Sequence, residues 1–240
     1  MIGTLANVAG IWIGGLIGLS RRGSLSPARE SLFKVLLGVF AVFYGLQLAW
    51  LSLKSPPGQF LKRLLIIVLA LMIGKLLGRL LHLQKLSNRI GQWSLKGLSE
   101  AATQGRKPSL GFKICAALFC AAPLGILGAV QDGLSGYFYP LVIKGVMEGL
   151  GMIGLAGTLG WGTLLSSLPV LVLQGTITLF CSQYMVPLLG GHSLIEPINA
   201  AGGLLVFSVA LVILDLKKIE LADYLPSLIV APLLAWALSF

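Results

Sequence analysis

This sequence predicts an all-α polytopic membrane protein of about eight transmembrane helices, and three observations carry that prediction. Charge is scarce: 11% of the 240 residues are Asp, Glu, Lys or Arg, against roughly 25% in an ordinary soluble domain. Apolar residues make up 56% and mean hydropathy is +0.92, which leaves too little polar surface to cover a water-soluble globule. The apolar residues also fall in runs close to the 20 or so that a helix needs to cross a hydrocarbon core of about 30 Å. Disorder, a coiled coil and a disulfide scaffold are excluded on the same grounds, because no heptad is sustained and three Cys cannot staple this length.

The runs, bounded by charge or by Pro and Gly, are 2–19, 31–53, 61–81, 111–131, 139–160, 162–186, 197–215 and 223–239. The first has no basic residue ahead of it and Arg21–Arg22 directly behind. That order predicts an uncleaved helix with its N-terminus outside rather than a signal peptide. Alternating from there, the inside loops hold Arg21, Arg22, Arg29, Lys34, Lys75, Arg79, Lys85, Arg89, Lys96, Arg106, Lys107, Lys113, Lys217 and Lys218, and the outside loops only Lys54, Lys62 and Arg63. This bias predicts a multi-pass membrane protein with both termini outside. The net charge of +10 then reports topology. Nucleic acid is not an expected partner, because no basic and aromatic residues interleave as base-stacking surfaces require. The expected partners are the lipid bilayer, a small solute or ion, and a second copy of the chain as an open alternative.

Residues 1–240 read as a single membrane domain. It divides into a first three-helix unit (1–81), a cytoplasmic amphipathic linker (82–110), a central helix pair (111–160) and a second three-helix unit (162–240). In the linker, Leu83, Leu86, Ile90 and Trp93 recur at helical spacing with Lys85, Arg89 and Lys96 away from them, as in a helix lying on an anionic leaflet. Gly3–Thr4–Leu5 opens the first span and Gly162–Thr163–Leu164 the sixth, while Glu30 precedes the second and Glu196 the seventh. A 1–3 and 6–8 duplication would have inverted parity, as in many secondary transporters.

Ionisable groups inside a span cost about 2.5–3.5 kcal/mol each on insertion scales. Lys144 and Glu148 stand four apart in the fifth span, so they share a face and can pair. They are either a structural pair that fixes packing or the charged elements of a polar pathway. Gly145 and Gly149 on the same helix have the GxxxG spacing of a close helix crossing. Ala121–Ala122–Pro123 with Gly125 predicts a helix break in span four, since Pro withdraws a backbone donor and clashes with the preceding turn. Asn7 and Gln174 lie well inside the hydrocarbon, where each either bonds a neighbouring helix or contacts a solute. Gln131, Asp132, Glu196 and Asn199 are further pathway candidates. For Asp132–Gly133 an exposed turn is the preferred expectation, for Glu196–Pro197 a helix N-terminus, and for Asp215 a surface pair with Lys217 and Lys218.

Cys115, Cys120 and Cys181 lie in apolar runs without a CxxC pair, and His82 and His192 stand far apart. Reduced, structural thiols, no metal and no cofactor are expected. No nucleophile elbow, zinc-protease helix, Walker loop or dinucleotide fingerprint occurs, so catalysis is not expected.

The same residues carry a resemblance. Gly3–Thr4–Leu5 with Asn7 and Gly14–Gly15; Phe119–Cys120 and Pro123 through Ile126–Leu127–Gly128 to Gln131–Asp132–Gly133; Lys144 with Glu148; Leu168–Pro169–Val170 with Gln174–Gly175; Glu196 with Gly202–Gly203; and Leu225–Pro226 together resemble the YdfK/YqgA-like bacterial membrane family, domain of unknown function five-five-four. The resemblance runs through nearly the whole chain. Glu148 stands where Asp is usual in that family, which keeps a carboxylate, and Asp215 where Asn is common. What the resemblance implies is an inner-membrane protein, described in the family as a transport candidate or as uncharacterised, without an agreed substrate.

Overall fold

The computed structural model describes the backbone of residues 1–20, 26–104, 108–191 and 193–238, and their side chains except at 101–104. Arg21, Arg22, Arg106, Lys107, His192 and the end of the eighth predicted run lie outside the described residues. Every described element is helical: α1 (Ile2–Ser20), α2 (Pro27–Leu53), α3 (Pro57–Leu80), α4 (Leu83–Gln104), α5 (Pro108–Ala121), α6 (Pro123–Ser135), α7 (Tyr139–Leu159), α8 (Ser167–Phe180), α9 (Val186–Gly190), α10 (Ile195–Ile213) and α11 (Ser227–Leu238). A 3-10 stretch, Trp161–Ser166, leads into α8, and a π-turn, Cys181–Met185, continues it into α9. Six stretches are each long and apolar enough to cross a bilayer, and the bent pairs α3–α4 (57°) and α5–α6 (59°) raise this to eight. This is an all-α multi-pass membrane protein.

Prolines set many of the starts. Pro27, Pro57, Pro108 and Pro123 open α2, α3, α5 and α6, where a missing N–H is no loss and the fixed φ suits the first turn. The helices therefore begin three or four residues ahead of the apolar runs at 31, 61 and 111, because a proline-led polar turn precedes each run. At the opposite end of α6, Gly136 adopts φ 68°, a left-handed cap that turns the chain into α7.

Hydrogen bonds fix which helix ends meet. At one end the Gly3 N–H donates to the Asp132 carboxylate (3.1 Å), the Ser135 hydroxyl donates to Asn199 Oδ1 (3.3 Å) and the Tyr137 hydroxyl donates to the Tyr44 carbonyl (2.7 Å). At the other, Lys34 reaches Asp215 (3.3 Å), Arg79 reaches Glu220 (3.2 Å) and the Gln84 N–H donates to the Asp223 carboxylate (2.8 Å). We refer to these as the Gly3 end and the Lys34 end. Of the described basic side chains outside the interior, only Lys54, Lys62 and Arg63 belong to the Gly3 end.

Four pairings build the bundle: α1 lies along α7, α2 along α10, α3 along α11, and the broken α5–α6 span along residues 161–185. The first depends on glycine. Gly10 and Gly14 of α1 face Gly145 and Gly149 of α7, and a Cβ at either α1 position would run into the α7 backbone. The predicted GxxxG contact is thus made, with α1 as the partner, and backbone packing is what holds such helices together where lipid is as apolar as leucine.

α4 is the predicted linker helix, but its faces divide differently from the expectation. Gln84, Ser87, Ser94 and Gly97 turn toward the protein, whereas Leu86 (57% exposed) and Trp93 (49% exposed) point away from it, flanked by exposed Lys85, Arg89 and Lys96. Small and polar residues, with the partly buried Leu98, seat the helix, and Leu86 and Trp93 are left for a lipid surface.

Candidate functional site

The site starts from the break between α5 and α6. Pro123 has no N–H to offer the preceding turn, so α5 stops at Ala121 and α6 restarts at a new angle. The loosened carbonyls find donors: Ser87 Oγ reaches the Ala121 carbonyl (3.4 Å), and the Gly125 N–H donates to the Ala122 carbonyl (2.9 Å). Gly125 leaves the first turn of α6 bare. A methyl there would stand 2.9 Å from Lys144 Cε and 3.1 Å from Gln174 Nε2, so glycine is what lets both side chains lie on the broken helix.

Lys144 donates to Glu148 Oε1 one turn along α7. Their side chains are 3% and 8% exposed, and Glu148 falls midway along the 21-residue α7. The amide of Asn7, on α1, lies beside the Glu148 carboxylate. Asn7 Nδ2 in turn donates to Gln174 Oε1 of α8 (3.1 Å). Each amide bonds a neighbouring helix, and each borders the charged pair. Two acceptors in the cluster, Glu148 Oε2 and Asn7 Oδ1, are buried without a hydrogen-bond partner. Such groups cost free energy unless a donor or cation reaches them. Four spans (α1, α5–α6, α7 and α8) therefore converge on one charge pair, two amides and two free lone-pair acceptors.

The remaining candidates stand elsewhere. Asp132 is not in an exposed turn; it is 6% exposed inside α6, bonded to the Gly3 N–H at 3.1 Å and within 3.0 Å of the Met1 amino group. The turn comes later, at Gly136, because the α6 helix runs on to Ser135 and the carboxylate caps the start of α1. Gln131, fully buried against Gly202 of α10, has neither amide atom bonded. Asn199 takes the Ser135 bond. Glu196 does sit in the first turn of α10, exposed, at a separate pocket of about 300 Å³. The pathway candidates thus fall in two places, the cluster around Glu148 and a set of polar residues nearer the Gly3 end. Asp215 pairs with Lys34 (3.3 Å) rather than with Lys217 or Lys218, since α2 brings Lys34 alongside and a positive φ of 56° closes off the α10 helix there.

Sequence reasoning passed over three polar residues. Asp223 (4% exposed) receives the Gln84 N–H at the start of α4, as Asp132 receives Gly3 at the start of α1. Thr4 Oγ1 is buried without a partner, and Ser135 bridges α6 to α10. The only prior signal for Asp223 is a lone carboxylate ahead of an apolar run.

The fold and the buried pair define a multi-pass membrane protein with ionisable groups at mid-depth, and comparison with known proteins places it further. Residues 2–236 match the family model described as "Protein of unknown function (DUF554)", and the chain belongs to that family. It is 29% identical to "Uncharacterized membrane protein YdfK" of Bacillus subtilis (strain 168), over 99% of this chain and 97% of the relative. It is 25% identical to "Uncharacterized protein YqgA" of Escherichia coli (strain K12), over 96% of this chain and 94% of that one. No solved structure matches it.

Proposed function

We propose that the chain moves a small ion or solute across the bacterial cytoplasmic membrane, through a site built from Lys144, Glu148, Asn7 and Gln174 at the α5–α6 break. One observation carries the reading: a buried ion pair stands at mid-depth where glycine packing alone would already hold α1 against α7. Packing gives no reason to place two charges there, and intramembrane charges usually mark a pathway. The site is closed, so solute access requires α6 or α1 to move. Glu148 carries the proton or cation, and Lys144 is its alternating partner, released when Glu148 is protonated. The end rich in Lys and Arg faces the cytoplasm and both termini face out. The pairings of α2 with α10, α3 with α11, α1 with α7 and α5–α6 with α8 support an inverted relation between the first and last three spans. We assign the chain no catalytic reaction.

The test is proton coupling in proteoliposomes with an entrapped pH dye. Glu148→Gln should insert and remain folded, though less stable than the wild type, and lose every gradient-dependent flux that the wild type supports. Unchanged coupling in a well-folded Glu148→Gln protein removes Glu148 from the mechanism.

A second reading, a non-transporting subunit that docks a cytoplasmic partner, draws on the exposed Leu86, Trp93 and Leu95 of α4. Charge reversal at Lys85, Arg89 and Lys96 separates the two. A docking subunit loses its partner, whereas a transporter keeps its flux.

A further inference from the structure

The pocket at the Gly3 end lies between the C-terminal end of α2, the first turns of α3 and α10, and the last turn of α11. Its volume, about 300 Å³, is at the small end of ligand-binding cavities (roughly 300–1,000 Å³). The buried Leu53, Ile66 and Ala200 form its apolar part. Lys62 and Arg63 reach it from α3, and Glu196 reaches it from α10. These three charges share one pocket, yet none makes an ion pair with any described residue.

We propose that this pocket binds a small zwitterion, a primary ammonium and an anionic group one or two carbons apart with an apolar substituent. A simple anion would meet Lys62 and Arg63 but also the repulsion of Glu196. A simple cation would face two like charges. A zwitterion presents its anionic group to α3 and its ammonium to α10, and its substituent covers Leu53, Ile66 and Ala200. A free amino acid of branched-chain size and the headgroup of phosphatidylethanolamine both have this chemistry. As a binding site the pocket stands by itself; as the entrance to a pathway it rests on the transport reading.

The experiment is binding of tritiated L-leucine to the purified full-length protein in phosphatidylcholine nanodiscs, which needs no flux and so fails or succeeds independently of transport. Competitors are 4-methylpentanoate, which lacks the amine, isopentylamine, which lacks the carboxylate, and phosphatidylethanolamine added to the disc. Leucine should bind, and each half-ligand should compete at least tenfold more weakly, because it leaves one charged wall unmatched. Glu196→Gln should weaken leucine at least tenfold and, by removing the repulsion, strengthen 4-methylpentanoate, whereas Arg63→Gln should weaken leucine and strengthen isopentylamine. If phosphatidylethanolamine binds and free amino acids do not, the zwitterion comes from the bilayer and the chemistry stands. Half-ligands that compete as well as leucine overturn the proposal. So does the absence of binding by both leucine and phosphatidylethanolamine in protein of normal melting temperature.

Discussion

Replacing Lys144 by Met removes a cation whose side chain is 3% exposed and strands Glu148, 8% exposed, with the neutral amide of Asn7 beside its carboxylate. The breaking of a buried pair by removal of one partner costs about 3–5 kcal/mol, because an uncompensated charge remains in low dielectric. The complementary Glu148→Gln strands the ammonium beside Gly125 in the first turn of α6, the positive end of that helix's dipole, so its cost belongs in the same range. The double variant Lys144→Met/Glu148→Gln leaves no charge to desolvate and should lie within about 1–2 kcal/mol of wild type, since well-packed neutral replacements of buried pairs are often neutral or stabilising. The assay is reversible unfolding in mixed micelles for all four proteins, read as a double-mutant cycle. The expected coupling is at least 2 kcal/mol. Single variants each within about 0.5 kcal/mol of wild type, like an exposed pair, would mean that water solvates the site, and the argument from burial fails.

Four other outcomes follow from the structure. Gly14→Leu, which drives a side chain into the Gly149 backbone, should destabilise by about 1–3 kcal/mol or more and prevent α1 from docking, read as loss of a folded species on size exclusion. Asp132→Ala should lose about 1.5–3 kcal/mol, the value of a hydrogen bond to a charged group, whereas Asp215→Asn, whose carboxylate is 77% exposed, should change unfolding by less than about 1 kcal/mol. Burial, with Tyr139 and Tyr44 nearby, pushes the Tyr137 hydroxyl above its ordinary value. The folded form therefore holds this proton more tightly than the unfolded, and the contribution is full below pH 10.0 and lost as pH rises through the folded value. Tyr137→Phe should cost about 1 kcal/mol at neutral pH and flatten the alkaline fall of a pH–melting curve.

What could be read in advance depended on how local each cause is. Span positions were legible because a bilayer demands a continuous apolar run. The α5–α6 break was legible because Pro123 acts on its own turn, and the Lys144–Glu148 pair because i and i+4 share a face on any helix. The starts of α2, α3 and α5 were late by three or four residues, since hydropathy does not register a proline-led polar turn. The Asn7–Gln174 bond spans 167 residues and the Gly3–Asp132 bond 129. Periodicity carries no information at such separations. That is why Asp132 reads as a turn residue until the start of α1 is brought against it, and why Asp215 reads as a partner for its neighbours until α2 supplies Lys34. Lys62 and Arg63, exceptions to the basic bias in the sequence, acquire a place only when α10 brings Glu196 to the same pocket.

The central claim is that Lys144 and Glu148 belong to a pathway and not only to the packing. Charge movement on solid-supported membranes tests it most directly, with purified wild type and Glu148→Gln exposed to ions, organic acids, amines and amino acids at two pH values. The account predicts a substrate-specific current in the wild type that the folded variant lacks. Equal currents in the two proteins contradict it. Silence in both, with isotope uptake also absent from folded and inserted wild type, contradicts transport itself.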